Sequence, residues 1–516
     1  MNGAECLLRT LLINGVDVCF MNPGTSEMQF VSALDRVPEM RGILCLVEGV
    51  CSGAADGYAR MLGRPASTLL HLGPGLANAL SNFHNARKAR SPVVSIVGEH
   101  STHHLPYNAP LTADIPAFAR TVSNCVRVLE TPEQMGAAAS AAVEAARRPP
   151  GQIATLIIPA DFSWSPAGGV GERVNPRPKS IPGSEKIRHA ASILRSGARV
   201  GILLGGSSLL QPGLLAAGRI HAASKTLVLA DRNAARYERG RGLFAPKRIP
   251  YFPEPANDLL AGLTHLILVE TQPPVSFFGY PGQRSLVAPE NCEYHVLASP
   301  EEDGAAALEM LAAELGADAA PEMTHPNAPS LPKDAPLTPS VIGQIVAAML
   351  PEGAIISDEM VSSSEAVWPH LGSALPHSHL PVTGGSIGQG LPVALGAAIA
   401  CPDRKVVALE ADGSAMYSLQ ALWTIARENL DVTVVIFANR CYRILDVERE
   451  RTKAGSFGPR ANDMIDIGRP DIDFVLLAQG LGIPATRVDN SRAFAARFRA
   501  AMEERGPSLI EAVLCS

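Results

Sequence analysis

The sequence predicts an α/β protein built of three doubly wound parallel-sheet domains. Three observations carry that prediction. The chain has 516 residues, too many for one core and suited to about three domains. Short continuous apolar runs alternate with helical patterns along its length. Two Pro/Gly/Ser-rich stretches without apolar periodicity divide it: SWSPAGGVGERVNPRPKSIPGS at 163–184 and GADAAPEMTHPNAPSLPKDAPLTP at 316–339. Such stretches read as exposed linkers. They leave blocks at 1–165, 185–315 and 340–516.

In the first block the strand candidates are VDVCFM, GILCLV, STLLHL, VVSIVG and TLIIPA, with Ala-rich amphipathic stretches between them. VGILLG, TLVLA, HLILVE and EYHVLA play the same part in the central block, and AIISDE, KVVALE, TVVIFAN and SLIEAVL in the third. Continuous β-branched runs alternating with helices mean parallel sheets covered on both faces. The first and third blocks both open helix-then-strand (AECLLRTLLINGVDVCF and SVIGQIVAAMLPEGAIIS), so a similar topology is expected in each. Ligands of such sheets sit beyond the carboxyl ends of the strands. The residues just after each run therefore matter most.

Composition narrows the partners. Lys and Arg number 44 against 50 Asp and Glu, a net charge of −6. No basic block or aromatic-interleaved basic stretch occurs, which argues against nucleic acid. The apolar runs are too short for a membrane span. The start, MNGAECLLRTLL, reads as an ordinary domain start rather than a signal peptide. Nine cysteines at 6, 19, 45, 51, 125, 292, 401, 441 and 515 form no CxxC. An odd, scattered set fits reduced thiols, so a soluble cytoplasmic protein is expected.

The third block places Asp412-Gly413-Ser414 after KVVALEA and Asn439 after TVVIFA, with SLQALWTIARENL between them as one helix-length stretch. A right-handed crossover puts both strand ends at the same sheet edge. A carboxylate and an amide oxygen converging there suit Mg2+ or Ca2+, and Mg2+ recruits phosphate oxygens to complete its shell. Gly413 and Ser414 open a helix whose free N–H groups attract anions. The unit reads as a magnesium–diphosphate anchor. Asp-Gly-Ser alone would read as a capped βαβ turn.

The GDGS-like residues and the terminal Asn before an aromatic resemble the thiamine diphosphate motif of the acetohydroxyacid synthase and pyruvate decarboxylase superfamily. Ala411 and Ala438 depart from the usual Gly and Asn, but neither position supplies a metal-ligating side chain. The resemblance implies Mg2+ on Asp412, Asn439 and the main-chain carbonyl of Cys441. CLVEGVCSGAADGYAR resembles the family's glutamate helix. It implies that Glu48, expected in apolar surroundings, hydrogen-bonds the pyrimidine ring nitrogen of the cofactor. VTGGSIGQGLPVALGAAIA resembles the segment that bends the cofactor, with Ile387 wedged between its rings and the Gly385 carbonyl accepting from the pyrimidine amino group. Flanking glycines let the backbone approach the rings. Ser362, Gly413, Ser414, Tyr417 and Tyr442 match positions at the diphosphate. In this fold the first block of one subunit meets the third block of another. Glu48 and Asp412 are thus expected to serve one cofactor from two chains, in a homodimer at least and a homotetramer by pairing of dimers.

Substrate-side residues bear on the reaction. Thr25 in FMNPGTSE and His71 in LLHLGPGLAN match an active-site serine and a catalytic histidine of benzoylformate decarboxylases. A histidine at a strand edge relays protons near neutral pH. His103 and His104 in GEHSTHHLPYN, beside His100, stand roughly where pyruvate decarboxylases carry adjacent histidines. Zinc fits poorly there, because no matching Cys or His set is visible. Two departures matter. ETQPPVSFFGYPGQ puts Phe277, Phe278 and Gly279 where benzoylformate decarboxylases carry a second histidine, so a more apolar pocket is expected. RCYRILDVERERTKAG lacks the tryptophan with which acetohydroxyacid synthases select an acceptor. VGILLGGSS resembles a nucleotide-binding turn; some relatives hold FAD in this domain and others hold nothing, and an empty site is expected.

The resemblance implies decarboxylation of a 2-oxo acid to an aldehyde through an enamine, with His71 as proton relay. The alternative is a carboligation of acetolactate synthase type. A non-catalytic cofactor-binding paralogue is opposed by intact Glu48, Asp412 and Asn439. A dehydrogenase is opposed by the lack of GxGxxG after the first strand of any block.

Overall fold

The apolar runs form three sheets in the computed structural model of the chain, which describes all residues except 322, 324–326, 328 and 516. The first sheet holds β1 (Val18–Asn22), β2 (Arg41–Leu44), β3 (Ala66–Leu70), β4 (Val93–Glu99), β5 (Cys125–Val128) and β6 (Ile153–Pro159). Its order is β2-β1-β3-β4-β6-β5, with every pair parallel. The central block supplies β7 (Val200–Leu204), β8 (Leu227–Ala230), β9 (Tyr237–Arg239), β10 (Lys247–Arg248), β11 (His265–Val269) and β12 (Glu293–Ala298). Four of these join β7 in the order β10-β8-β7-β11-β12, while β9 leaves its own block. The third block contributes β13 (Ile355–Glu359), β14 (His377–Pro381), β15 (Val406–Ala411), β16 (Val432–Ala438), β17 (Ala485–Val488) and β18 (Ser508–Val513). That sheet runs β17-β18-β16-β15-β13-β14-β9.

The α/β class with parallel sheets stands, with one exception. β9 pairs antiparallel with β14 through Ser378↔Glu238, so a strand of the central block closes the third sheet. Three residues without an apolar run gave no signal for it. β14 was also hidden, because HSHLP buries two histidines, His377 and His379, rather than aliphatics.

The third block's helix also departs from expectation. Instead of one helix, a single turn Asp412–Ala415 is followed by a break and then the helix Ala421–Arg427. Tyr417 lies in the break, and a Cβ on Gly388 would come 2.6 Å from its Cβ. The first linker is not free either. The Gly171 N–H donates to Thr10 Oγ1 at 2.9 Å and the Val174 N–H to Asn14 Oδ1 at 2.7 Å. Polar ties of this kind leave no apolar period to read. Part of the second linker lies outside the described residues.

The first and third blocks share a core. One apolar cluster runs from Phe20 and Ile43 through Ala54 to Leu391, Val393 and Val432. Burying a side chain such as Phe20 or Leu391 contributes about 1.5–3 kcal/mol. The helices Glu48–Leu62 and Gly390–Ala400 meet backbone to backbone, since a Cβ on Gly57 would lie 2.2 Å from the Val393 carbonyl oxygen. All nine cysteines are free. Among the described residues no helix is long and apolar enough to cross a membrane.

Candidate active site

At the third sheet's carboxyl edge the register Ala411↔Phe437 sets the ends of β15 and β16 side by side. Asp412 is buried there. Its Oδ1 accepts from the Gly413 N–H at 2.9 Å and its Oδ2 from the Arg440 N–H at 2.6 Å. Burial pushes this carboxyl up, against the backbone donors of Arg440, Gly413 and Asn439. Asn439 is half-buried, and its Oδ1 accepts from the Cys441 N–H at 2.9 Å. Arg440, between them, takes φ 59°, a left-handed backbone that a non-glycine residue adopts only when its surroundings require it. Each side chain thus accepts from a main-chain N–H of the turn after β16, Arg440 for Asp412 and Cys441 for Asn439. Burial raises the Cys441 thiol, which disfavours a thiolate.

Ser414 Oγ donates to the carbonyls of Ala411 at 3.1 Å and Glu359 at 3.3 Å. The Tyr442 ring lies on Gly413, where a Cβ would be 2.4 Å from its Cε1. Tyr417 is exposed, and Ser362 is half-buried on the turn Val361–Ser363. Val361 has φ 51°, strained for a β-branched residue.

The glycine turn above this edge is held by a residue the sequence reading missed. Glu359, at the end of β13, accepts from the N–H groups of Gly388 and Gly390, both at 2.7 Å. Its burial pushes the carboxyl up to about 7. The signal for it was its place as the last residue of AIISDE. Gly385 has φ 77°, and a Cβ there would lie 2.3 Å from the Phe277 ring. The central loop therefore reaches the turn with an aromatic face, Phe277 packing with Tyr251 and Phe278 at ring-centroid distances of 5.1 and 5.0 Å. Ile387 is half-buried beside it.

At the first sheet's edge Glu48 opens the helix Glu48–Leu62 and is buried. Its expected apolar surroundings are corrected: Asn22 Nδ2 donates to Oε1 at 3.1 Å and Asn78 Nδ2 to Oε2 at 3.0 Å. Asn78, Asn82 and Asn85 share one face of the helix Leu72–Ala89, as spacings of four and three dictate. Asn82 Nδ2 bridges the carbonyls of Gly49 at 2.8 Å and Gly388 at 3.1 Å, and Asn85 Nδ2 donates to the Ser386 carbonyl at 2.7 Å. This ladder links Glu48 to the glycine turn within one chain.

His71 follows β3 with its Nδ1 2.8 Å from Glu27 Oε2. Gly24 presses on the imidazole, where a Cβ would lie 2.3 Å from Nδ1, and exposed Thr25 comes next in the chain. Glu27 is the second residue missed; its signal was an acid two positions after Thr25 in the same strand-end loop. Burial pushes its carboxyl up, opposed by His71 and by the Gly24 N–H at 2.8 Å. His103 and His104 stand apart. Both are exposed, with ring contacts to each other, His100 and Tyr107, and no hydrogen bond or ring contact among the described residues joins them to Glu48, His71 or Thr25.

The donor sets decide what can bind. Hard oxygens at Asp412 and Asn439, a glycine cradle at 385–388 and one buried acid among carboxamides fit a diphosphate–metal tail and a ring that needs a proton partner. The central block's glycine turn does not fit FAD. Glu270 fills it, accepting from Ser207 N–H at 2.6 Å, Ser207 Oγ at 2.6 Å, Gly304 N–H at 2.7 Å and Lys179 Nζ at 2.8 Å. A dinucleotide phosphate would meet that carboxylate.

Comparison with known proteins agrees. A profile described as thiamine pyrophosphate enzyme, N-terminal TPP binding domain, matches residues 1–118, and its C-terminal TPP binding domain counterpart matches 362–512. The chain is 49% identical over 518 residues to a Mycobacterium tuberculosis protein named "Putative acetolactate synthase large subunit IlvX", covering 100% of this chain and 99% of that one. It is 27% identical over 542 residues to the benzoylformate decarboxylase of Pseudomonas aeruginosa, covering 96% of each. The solved thiamine diphosphate-dependent 4-hydroxybenzoylformate decarboxylase of Rhodococcus jostii RHA1 shares the fold, with TM-score 0.85 at 24% identity over 100% of this chain and 99% of that one. With both terminal domains matched and a near-half-identical relative along its whole length, the chain belongs to the thiamine pyrophosphate enzyme family.

Proposed function

We propose that this enzyme decarboxylates a 2-oxo acid to an aldehyde, using thiamine diphosphate anchored through Mg2+. The observation that carries the reading is the Glu27–His71 pair, a buried acid 2.8 Å from an imidazole at the first sheet's edge. Bound in the cleft, the cofactor supplies a carbon nucleophile for the 2-oxo group and a sink for the electrons left by carbon dioxide. Asp412, Asn439 and the Cys441 carbonyl would hold the metal, with Ser362, Gly413, Ser414, Tyr417 and Tyr442 around the diphosphate. Glu48 would share a proton with the pyrimidine ring, the Gly385 carbonyl would orient its amino group, and Ile387 would support the bend. Glu27 takes the Nδ1–H of His71, which fixes the tautomer and leaves Nε2 to pass a proton to the product carbon. Thr25 would orient the substrate carboxylate, and Phe277 and Phe278 would exclude water. His103 and His104 would act only as outer wall.

The active unit is proposed as a homodimer at least, and a homotetramer by pairing. Exposed Met416, Tyr417, Phe277 and Phe278 around the turn support a second copy covering it. The blocks act as a pyrimidine-side domain at 1–165, a central domain at 185–315 and a diphosphate-side domain at 340–516, in a cytoplasmic protein.

The second reading is carboligation of acetolactate synthase type, favoured by the name of the 49% identical relative. Product analysis with pyruvate and with benzoylformate separates the two. Aldehyde and carbon dioxide in equal amounts are expected; acetolactate from pyruvate as the main product would overturn the decarboxylase reading.

A further inference from the structure

The outer edge of the central sheet carries a side-chain cluster that the proposed chemistry does not use. β11 and β12 run parallel with His265 opposite Glu293 and Ile267 opposite His295. Glu293 and His295, two apart on one strand, share a face, and His265 lies on the same face beside them. His265 Nδ1 is 3.0 Å from His295 Nε2, and Glu293 Oε2 is 3.8 Å from both nitrogens. The helix Ser184–Arg195 adds His189, whose Nε2 is 3.3 Å from His295 Nδ1.

We propose that His265, His295 and Glu293 bind a divalent transition-metal ion of the zinc class at this edge. Ligands about 2.0–2.1 Å from a tetrahedral ion stand roughly 3.3 Å from one another, and the three atoms bracket that separation. An imidazole–imidazole hydrogen bond would account for the 3.0 Å contact alone, but not for a carboxylate equidistant from the two nitrogens. Two imidazoles and one carboxylate suit zinc, nickel or copper, whereas Mg2+ prefers oxygen. The site is therefore distinct in chemistry from Asp412 and Asn439. His189 takes the second nitrogen of His295, the outer contact that sets tautomer and ring orientation in metal centres. Glu293 leaves the fourth position open to solvent, its side chain being 69% exposed. The ion would clamp the edge strand to its neighbour and, through His189, to the covering helix.

The test uses the full chain without a histidine tag, stripped by chelator, returned to excess Mg2+ and titrated with Zn2+ by calorimetry. Metal retained after gel filtration is counted by mass spectrometry. One Zn2+ per chain is expected, lost in His265→Asn and in His295→Asn, and bound roughly 10–100-fold more weakly in His189→Asn. Circular dichroism and gel filtration confirm that each variant is folded. No retained equivalent in the parent chain, or an equivalent unaffected by His265→Asn and His295→Asn, overturns the proposal.

Discussion

Two buried acids, Asp412 at the third sheet's edge and Glu48 at the first sheet's, are held in opposite ways. Asp412 is gripped by main-chain N–H groups, those of Gly413 and Arg440. Glu48 is gripped by side-chain carboxamides, those of Asn22 and Asn78. Main-chain donors come with the path of the backbone, so no single side-chain replacement strips them, and the left-handed Arg440 helps to set that path. Carboxamides can be replaced or re-aimed one at a time. The first arrangement suits a fixed tether, the role proposed for Asp412, and the second a group whose proton must move, the role proposed for Glu48.

That contrast can be broken experimentally. The largest effect is expected for Glu48→Gln, which should lower kcat about a hundredfold or more while cofactor binding, followed by fluorescence quenching, stays near normal. Asp412→Ala should do the reverse, losing cofactor affinity first. Mixing the two inactive variants sharpens the picture. Recovered turnover in mixed assemblies means that the cleft takes its acids from two chains; no recovery means that one chain supplies both. Next in size, Asn78→Ala should cut kcat about tenfold, at the low end of losses seen when a supporting contact to a working group is removed, with KM for substrate little changed in steady-state assays. An unchanged kcat would show that the carboxamides are idle.

Smaller effects probe the frame between the acids. Gly385→Ala meets both a positive φ and the Phe277 ring, and should cost about 1–3 kcal/mol of stability in urea unfolding. Pairing it with Phe277→Ala should return part of that. The smallest expected effect depends on pH. Burial foremost lowers the His377 imidazole to about 3. The folded state then holds fewer protons than the unfolded chain between about 6.5 and about 3. Stability contributed by this group is present above that window and falls as pH drops into it, by about 1–2 kcal/mol between pH 7 and pH 5. Urea midpoints at the two pH values, with His377→Asn showing the shallower change, check the sign.

The positions of Asp412, Asn439 and Glu48 just past their strands were legible because strand ends can be located from apolar runs without knowing the tertiary structure. Asn78, Asn82 and Asn85 were not. On a helix such a row reads as the wet face, and only the packing of the third block against it turns that face inward. Glu27 and Glu359 were hidden for a related reason. An acid in a loop or at a strand tip is ordinarily solvated, and what makes these two matter is a neighbour from elsewhere in the chain: His71 for one, the Gly388 and Gly390 amides for the other. The parallel sheets followed from their aliphatic runs. β14 carries histidines in place of aliphatics, and β9 is placed by an exchange between blocks that local pattern does not encode.

That exchange limits how far the central block can move from the third sheet. Arg239 of β9 lies 3.4 Å over the Trp368 ring and donates to the Trp368 carbonyl at 3.0 Å, so the central block is stapled to the sheet whose turn carries Gly385. A swing of the whole block away from that turn would have to unzip a strand and pull this cation from its ring. The Phe277 ring that meets Gly385 belongs to that same block, so the borrowed strand also anchors the aromatic face that covers the turn.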